Sequence, residues 1–396
     1  MRVVIAPDKF KGSLSAPDVA RHLEAGLRAA WGTAGSRGEL AVLRIPVADG
    51  GEGTLDAAVG SGFTRRSAVA SGPTGQPLRA EFAVRGREAV IEMAAASGLA
   101  VLPDGIKDAT GATSLGTGEL IRAALDAGCR QIILGVGGSA NTDGGAGILQ
   151  GLGARLLDAG GRELPPGGGA LARLHRIDFS GFDTRLDEAR FILASDVDNP
   201  LLGPEGAPAI FGPQKGATPS DVAALDAALS RFVEVLAKEI GPRAVKAALA
   251  PGAGAAGGAG YAAIAVLAAT RRPGIDVVLE FTELGQRLAG ADLVITGEGS
   301  LDEQSLLGKT PMGVARAAGR AGVPVIAVCG RTTLGAEQLR KSGFRDVHAL
   351  TELESNVDTC IAEAGPLLER LGRRIGEQLA ALAPATNADT KEALHA

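Results

Sequence analysis

Three loops in this sequence combine glycines with carboxylates, and each follows an apolar stretch. They occupy residues 49–53, 137–145 and 296–300. Glycine lets the backbone adopt positive φ and direct its N–H groups at an anion, whereas a carboxylate can hold a divalent cation or accept a proton. The repeated combination therefore predicts a site that handles phosphate groups.

A fourth polar loop follows the first apolar stretch and carries Asp8, Lys9, Lys11 and Ser13. Two lysines, a carboxylate and a hydroxyl so close together could bind a negatively charged substrate and supply a base. The alternative is a solvated charged turn, which is common on protein surfaces. Because the loop follows a strand, we expect it at the carboxyl edge of a sheet, where open α/β folds bind ligands.

The segment that begins at Ser195 contains Asp196, Asp198 and Asn199 after another apolar stretch. Its oxygen-rich side chains suit Mg²⁺ better than zinc or copper. Alternatively, Asp198 or Asn199 caps a turn before Pro200. The residue types therefore favour a magnesium ligand here and leave the turn reading open.

Two nucleotide-binding patterns are incomplete. The residues up to Thr310 imitate the end of a Walker A loop, but its first glycine would stand at position 303, which is Glu303. Pro311 still predicts a helix start, so Lys309 would lie at a positive helix terminus and could bind an anion or belong to an ordinary cap. The segment 135–140 matches G-x-G-x-x-A, a weak indication of a NAD-dependent oxidoreductase.

The elements that would position these loops alternate between apolar strands and helices at both ends of the chain. This pattern predicts a doubly wound parallel sheet formed by residues 1–64 and 286–396. Residues 65–285 are predicted to form an inserted mixed α/β domain with a hairpin over 78–84 and 88–93 and a helix through Leu157. Residues after Pro384 resemble a frayed polar tail.

Composition excludes several other classes of protein. The formal net charge is −5 over 396 residues and aromatics make up 3%, so a nucleic-acid partner is not expected. The three cysteines, Cys129, Cys329 and Cys360, are scattered and suit reduced core thiols. The apolar run at the N-terminus ends too early for a signal peptide, and residues 262–269 are too short to span a membrane. We therefore expect a cytoplasmic protein.

Six motifs occur together in an order that resembles the type 1 (bacterial) glycerate kinases. The similarity extends from residue 5 to about residue 316 and rests on these segments: Ile5-Ala6-Pro7-Asp8-Lys9-Phe10-Lys11-Gly12-Ser13, Ala48-Asp49-Gly50-Gly51-Glu52-Gly53-Thr54, Gly137-Gly138-Ser139-Ala140-Asn141-Thr142-Asp143-Gly144-Gly145, Asp196-Val197-Asp198-Asn199-Pro200-Leu201, Phe211-Gly212-Pro213-Gln214-Lys215-Gly216 and Thr296-Gly297-Glu298-Gly299-Ser300-Leu301-Asp302.

The resemblance implies an enzyme that uses ATP to phosphorylate D-glycerate, usually at the 2-hydroxyl. It also implies two unlike α/β domains, one flavodoxin-like and one inserted, with the active site in the cleft between them. A kinase that gives 3-phosphoglycerate is the nearest alternative. A NAD-binding oxidoreductase and a non-catalytic ligand-binding protein are more distant ones, and either a monomer or a homodimer is compatible with the sequence.

Phosphoryl transfer requires positioning and charge neutralisation more than covalent chemistry, which guides the expected roles. The candidate catalytic residues are Asp8, Lys9, Lys11 and Asp196. Substrate binding is assigned to Ser13, Lys215 and Lys309. The nucleotide phosphates would contact Gly137, Gly138, Ser139, Asn141, Asp143, Gly254 and Gly257. Mg²⁺ would be held by Asp196, Glu298 and Asp49.

Overall fold

A computed structural model of the chain describes residues 1–33, 38–306 and 308–382. The chain divides into two compact units. Residues 1–48 and those from 278 onward form the split unit, and residues 49–277 form the inserted unit. The predicted tail after Pro384 lies outside the described residues.

The strands of the described residues, in chain order, are β1 (Arg2–Pro7), β2 (Ala41–Arg44), β3 (Thr64–Ser71), β4 (Pro77–Arg85), β5 (Glu88–Glu92), β6 (Gln131–Gly135), β7 (Arg155–Leu157), β8 (Arg176–Asp178), β9 (Arg190–Ala194), β10 (Thr270–Arg272), β11 (Leu293–Leu301), β12 (Val325–Thr332) and β13 (Asp346–Ala349).

The α-helices of the same residues are α1 (Ala16–Thr33), α2 (Thr54–Gly60), α3 (Ala94–Ser97), α4 (Leu115–Asp126), α5 (Ala146–Gly151), α6 (Ala207–Phe211), α7 (Pro219–Ile240), α8 (Arg243–Ala248), α9 (Ala255–Ala265), α10 (Gly274–Phe281), α11 (Leu284–Arg287), α12 (Glu303–Leu306), α13 (Thr310–Arg320), α14 (Ala336–Lys341), α15 (Val357–Ala362) and α16 (Ala364–Leu382).

The split unit is built on a five-stranded parallel sheet with the order β2-β1-β11-β12-β13. Its central strands are continuous apolar runs, and Val3, Ile5 and Leu293 are fully or almost fully buried. Continuous apolar sequences of this kind are typical of strands that are buried on both faces, because helices cover both sides of a parallel sheet. The carboxyl ends of β1 and β11 therefore lie side by side, which places the two loops that follow them at one edge of the sheet.

Helices α1 and α16 pack against each other over the core of the split unit. The predicted start of α1 is confirmed, since the Ser15 hydroxyl donates to Asp18 Oδ2 at 2.6 Å and accepts from the Asp18 N–H. Gly26 allows a very close approach of the helices, because a Cβ there would overlap the Glu369 carbonyl oxygen. Leu23 and Leu368 are fully buried in the same cluster.

The inserted unit contains a six-stranded mixed sheet with the order β10-β9-β6-β5-β4-β3. The pairs β3–β4 and β4–β5 are antiparallel, whereas β5–β6, β6–β9 and β9–β10 are parallel. A separate antiparallel pair, β7–β8, packs with α7 around a second core that includes Phe232 and Tyr261. The predicted α/β class and the hairpin of β4 and β5 are confirmed.

Several predicted elements were wrong. The helix expected through Leu157 ends at Gly151, because Gly153 adopts a φ of 102° and the chain continues into β7. Strand β2 ends at Arg44 instead of Ala48, although the N–H groups of Ile45 and Val47 still donate to the Ile5 and Pro7 carbonyls of β1 at 2.8 and 3.0 Å. Beyond the two later helices that were predicted, the segment after β9 forms additional short helices, and β3, β8 and β10 were missed.

The observed division of the chain also differs from the predicted boundaries at residues 64 and 286. Residues 49–64 belong to the inserted unit because Glu92 Oε1 accepts the N–H groups of Gly53 at 3.0 Å and Leu55 at 2.5 Å. Phe63 is buried there, beneath the guanidinium of Arg85 at 4.2 Å from the ring centre. A carboxylate and an aromatic contact thus fasten this segment to β4 and β5, which the local sequence pattern did not reveal.

Candidate active site

In the split unit, the loop after β1 is organised around the carboxylate of Asp8, which is only 8% exposed. Its Oδ1 accepts the N–H of Lys9 at 2.7 Å, and its Oδ2 accepts the hydroxyl of Thr310 at 2.6 Å. Because both oxygens have donors, Asp8 links the loop to the first residue of α13. The contact with Thr310 was not predicted, since 302 residues of sequence separate the two partners.

The three lysines predicted for the site in the split unit lie on the two segments that Asp8 joins. Lys9 is half-buried, Lys11 is exposed, and Lys309 precedes α13 with Pro311 in its first turn. The positive end of a helix dipole and a lysine beside it favour an anion. The Ser13 hydroxyl donates to the Ile361 carbonyl oxygen at 2.6 Å, so it fastens the loop to α15.

Glu298 lies on β11, next to the loop that carries Asp8. The N–H of Asp8 donates to the Gly297 carbonyl at 2.8 Å, and Glu298 pairs in register with Cys329 of β12. The carboxyl is half-buried, and its Oε1 is enclosed by protein atoms. The split unit thus brings Asp8, Glu298 and the start of α13 to the carboxyl edge of its parallel sheet.

In the inserted unit, three backbone segments converge around Asp49 and Asp196. A Cβ on Gly50 would lie 3.0 Å from the Ala194 carbonyl oxygen, and a Cβ on Gly137 would lie 2.6 Å from Gly51 Cα. Only glycine permits both approaches without displacement. The loop of residues 49–53 therefore rests against the ends of β6 and β9, close to the glycines that follow β6.

Asp196 has an altered affinity for protons at this junction. Its Oδ1 accepts the N–H of Gly274 at 2.9 Å. Although its side chain reaches solvent, loss of hydration among the surrounding protein atoms raises the pKa of Asp196 to about 6, and the negative charge of Asp49 adds to the increase. A carboxylate of this kind is ionised at neutral pH and is still a better base than an ordinary aspartate.

The Asp143 carboxylate is fully buried and accepts hydrogen bonds from five donors. They are the N–H and hydroxyl of Ser114, both at 2.8 Å, the side-chain amide of Asn141 at 2.7 Å, and the N–H groups of Gly145 at 3.0 Å and Gly147 at 3.2 Å. Such a network holds a loop in one conformation. Asp143 therefore holds the start of α5 in place through hydrogen bonds, and its charge is not presented to solvent.

Lys215 is enclosed in the same network, with only 1% of its surface exposed. Its Nζ donates to the Ser139 hydroxyl at 3.0 Å and to the Asn141 carbonyl oxygen. Complete burial lowers the pKa of Lys215 to about 7, while the charge of Asp143 opposes the decrease. In this conformation the ammonium group supports the loop after β6 and does not reach solvent.

The glycines of the run 252–260 serve packing in the inserted unit. A Cβ on Gly254 would overlap the Pro200 carbonyl oxygen, and one on Gly257 would overlap that of Asn141. The Gly257 carbonyl accepts the N–H of Gly144 at 2.9 Å. Of the residues predicted to contact nucleotide, Gly138 is exposed and Gly137 half-buried, whereas the other five are buried.

Comparison with known proteins identifies the family. The sequence model described as the Glycerate kinase family matches residues 3–380. The chain belongs to the glycerate kinase family.

Curated members and a solved structure of the glycerate kinase family align over almost the whole chain. A glycerate kinase from Bacillus subtilis (strain 168) is 44% identical, covering 96% of this chain and 98% of the relative. A glycerate 2-kinase from Escherichia coli (strain K12) is 43% identical with the same coverage. A crystal structure from Salmonella typhimurium LT2, provisionally described as glycerate kinase 2, has a TM-score of 0.81, 43% identity, and coverage of 96% and 98%.

As a glycerate kinase, the chain is an enzyme that transfers phosphoryl groups, so its fit to Mg²⁺ can be examined. Within residues 1–33, 38–306 and 308–382, no group of three or more His, Cys, Asp or Glu side chains is arranged to hold a metal ion. The inserted unit does place Asp49 close enough to Asp196 for their charges to interact. Two carboxylates fit Mg²⁺, which commonly takes its other oxygens from water and substrate phosphates.

The residues that the sequence patterns missed mostly form hydrogen bonds that hold the glycerate kinase site residues in place. Glu92 holds the loop of residues 49–53, Ser114 donates to Asp143, and Thr310 donates to Asp8. Each acts across at least 29 positions of sequence. No local spacing rule could have revealed them.

None of the helices formed by the described residues is long and apolar enough to cross a membrane.

Proposed function

We propose that this protein transfers the γ-phosphoryl group of ATP to the 2-hydroxyl of D-glycerate, giving 2-phosphoglycerate and ADP. The observation that carries the proposal is the junction in the inserted unit where Asp49 and Asp196 lie close to the glycines that follow β6, of which Gly137 is half-buried and Gly138 exposed. Such a junction offers carboxylates for a proton or a cation and backbone N–H groups for phosphate oxygens. The family and the name of the Escherichia coli relative support the choice of substrate and position.

In this proposal, Asp196 accepts the proton of the acceptor hydroxyl. The pKa of about 6 supports that role, because the group is ionised at neutral pH and basic enough to share a proton in the transition state. Asp8 was the other candidate base. Since both of its oxygens already accept hydrogen bonds within the split unit, we assign it the task of fixing the start of α13.

The negative charges of the substrates require cations and N–H donors. We assign the glycerate carboxylate to Lys9 and Lys11, with Lys309 as a further cation at the start of α13. Gly137 and Gly138 would contact nucleotide phosphates through their N–H groups. Ser139, Asn141, Asp143 and Lys215 would hold that loop in place, Ser13 would anchor the loop after β1, and Gly254 and Gly257 would provide close packing.

Mg²⁺ would be bound by Asp49, and binding by Asp196 is the alternative to its role as base, because a bound cation would lower the pKa of that carboxylate. The assignment of Glu298, which lies in the split unit, stays a prediction from the sequence. The ion would neutralise charge on the phosphate oxygens. The fit rests on the hard oxygen donors and on the mutual repulsion of Asp49 and Asp196, which a cation would relieve. If the Asp49→Asn and Asp196→Asn variants bound Mg²⁺ as tightly as the wild type by calorimetry, this assignment would be abandoned.

We also propose that the split unit is flavodoxin-like. Its parallel strand order, β2-β1-β11-β12-β13, is the 2-1-3-4-5 order of that class. The active-site cleft expected from the family resemblance stays a prediction, as does the choice between monomer and homodimer.

A coupled ADP assay tests the proposed function directly. The purified chain should release ADP from Mg-ATP only when D-glycerate is present, and L-glycerate serves as the matched control. Phosphorus NMR should show 2-phosphoglycerate as the product. A 3-phosphoglycerate signal would correct the position of transfer. Binding of ATP and glycerate without turnover would instead support a ligand-binding protein, and nicotinamide reduction without ADP release would support an oxidoreductase.

A further inference from the structure

Arg271 lies in the strand next to the one that leads to Asp196. Strand β10 pairs in parallel with β9, with Arg271 opposite Leu193, and the Ser195 N–H donates to the Arg272 carbonyl at 3.1 Å. The positive charge of Arg271 acts on the Asp196 carboxylate. The guanidinium therefore belongs to the same end of the sheet as the proposed base.

The guanidinium of Arg271 is only partly used by the protein. Its Nη2 contacts Asp198 Oδ1 at 2.7 Å, but the Asp198 side chain is 79% exposed while that of Arg271 is 25% exposed. The buried Nε has no hydrogen-bond partner among the residues the structure describes. An ion pair with a solvated carboxylate contributes little stability, so replacing the Asp198 carboxylate by another anion costs little free energy.

The stem of Arg271 is held by a glycine. Gly252 adopts a φ of 86°, and a Cβ at that position would lie 2.6 Å from Arg271 Cδ. Any larger residue would displace the side chain, which explains the requirement for glycine here. The result is an arginine whose aliphatic part is fixed by backbone and whose guanidinium is held by one partly solvated ion pair through Nη2.

The charges at this end of the sheet indicate what the guanidinium of Arg271 would bind. Asp49 and Asp276 add negative charge around Asp196, the proposed base. The substrates of a kinase are themselves anions, so they need a compensating cation to approach these carboxylates. An arginine head presents two parallel N–H donors to phosphate or carboxylate oxygens, which a lysine cannot.

We propose that Arg271 is an anion-binding residue of the kinase reaction, which exchanges Asp198 for an anionic oxygen of a substrate, either a nucleotide phosphate oxygen or the glycerate carboxylate. This inference rests on the proposed function. The competing explanation is structural: the Arg271–Asp198 pair would only hold the loop after β9.

The test compares Arg271→Met, Arg271→Lys and Asp198→Asn in the full chain, with Arg185→Met as a control. Arg185 also forms ion pairs, with Asp183 and Asp126, but on a different part of the inserted unit. We expect Arg271→Met to lower kcat/KM by about tenfold or more and Arg271→Lys to restore part of the loss. Asp198→Asn and Arg185→Met should keep both KM values within about threefold of the wild type.

The kinetic constants and calorimetry identify the bound anion. A raised KM for ATP with weaker ADP binding assigns Arg271 to a phosphate, and a raised KM for glycerate with weaker glycerate binding assigns it to the carboxylate. A loss confined to kcat that lysine partly restores supports contact in the transition state. Wild-type kinetics in Arg271→Met, or equal losses in Arg271→Met and Asp198→Asn that lysine does not restore, would overturn the inference.

The experiment also separates this inference from the proposed function. If the wild-type chain showed no turnover of glycerate, the proposed function would fail, but calorimetry with ADP and with glycerate would still report on Arg271. If the wild type were active and Arg271→Met bound both ligands and reacted normally, the inference alone would fail.

Discussion

At the scale of single residues, Asp196 shows how the position of a carboxyl group in the fold changes its pKa. Asp196 follows an apolar strand as several other carboxylates of the chain do, but protein atoms nearby remove part of its hydration although the side chain is exposed, and the charge of Asp49 acts on it. Protein atoms that replace water penalise the ionised form. Its basicity is therefore a property of the fold around it, and it comes with a cost in stability.

Removing the charge of Asp196 should stabilise the ligand-free protein in a pH-dependent way. The folded-state pKa of about 6 lies above the ordinary value of 3.8, so the stabilising contribution of Asp196 is complete at low pH and is lost as pH rises through 6. We expect Asp196→Asn to raise Tm above about pH 6, with the advantage disappearing towards about pH 4. Thermal unfolding across this range measures the difference.

Asp187→Asn is the control for this experiment, because Asp187 is exposed and remote from the site. It should leave Tm unchanged at every pH. Activity should fall about 100-fold or more in Asp196→Asn if Asp196 is the base. If Asp196→Asn gained no stability at pH 8, the assigned loss of hydration around Asp196 would be contradicted, even if the activity of the variant fell.

Lys215 illustrates a site residue whose role is set by burial. Its Nζ contacts Ser139 and the Asn141 carbonyl inside the protein. We expect Lys215→Met to loosen the loop after β6 and raise KM for ATP about tenfold, because a supporting hydrogen bond positions the contacting groups. Steady-state kinetics with ATP and glycerate varied separately measures the effect.

The matched control is Lys238→Met, which alters an exposed lysine of α7 and should leave the kinetics unchanged. If Lys215→Met raised KM for glycerate and left KM for ATP unchanged, the earlier assignment of Lys215 to direct substrate binding would be preferred.

At the scale of secondary-structure elements, the start of α13 depends on a contact from β1. Thr310 is buried and donates to Asp8 Oδ2 at 2.6 Å. Thr310→Val keeps the shape of the side chain but removes the donor, which should cost about 1–3 kcal/mol of unfolding free energy. It should also lower kcat/KM, because Asp8 and Lys309 would no longer be held in place.

Thr310→Ser retains the hydroxyl and should stay close to the wild type in both measurements, which are denaturant unfolding and the coupled ADP assay. Equal losses in the valine and serine variants would indicate that the methyl group of Thr310 matters instead of the hydrogen bond to Asp8.

Elements with strong local signals were predicted correctly. Strand β6 and the start of α13 follow from a continuous apolar run and from a proline at a helix start. Strand β10 has only three residues, and the two arginines within it gave no strand pattern. Such a strand forms because β9 offers it a hydrogen-bonding edge, so local sequence could not predict it.

At the scale of the whole molecule, the inserted unit is one continuous segment with its own sheet and cores. We therefore expect the fragment of residues 49–277 to fold by itself, with a cooperative thermal transition, and to lack glycerate kinase activity. Circular dichroism and hydrogen exchange on the isolated fragment provide the measurement.

A fragment cut at the boundaries expected from sequence, residues 65–285, is the natural comparison. It lacks the N–H groups of Gly53 and Leu55 that contact Glu92, and we expect it to be less stable. If this shorter start gave the more stable fragment, residues 49–64 would not belong with the inserted unit.

The α/β class, the family and the loops that carry the chemistry could be predicted from the sequence alone, because strand periodicity, glycine turns and motif order are local properties of the chain. The folded structure was needed to show that Asp143 and Lys215 are buried and support a loop, that residues 49–64 join the inserted unit, and that the charge of Arg271 acts on Asp196. Those outcomes depend on burial and on contacts between distant segments, and neither is encoded in the spacing of neighbouring residues.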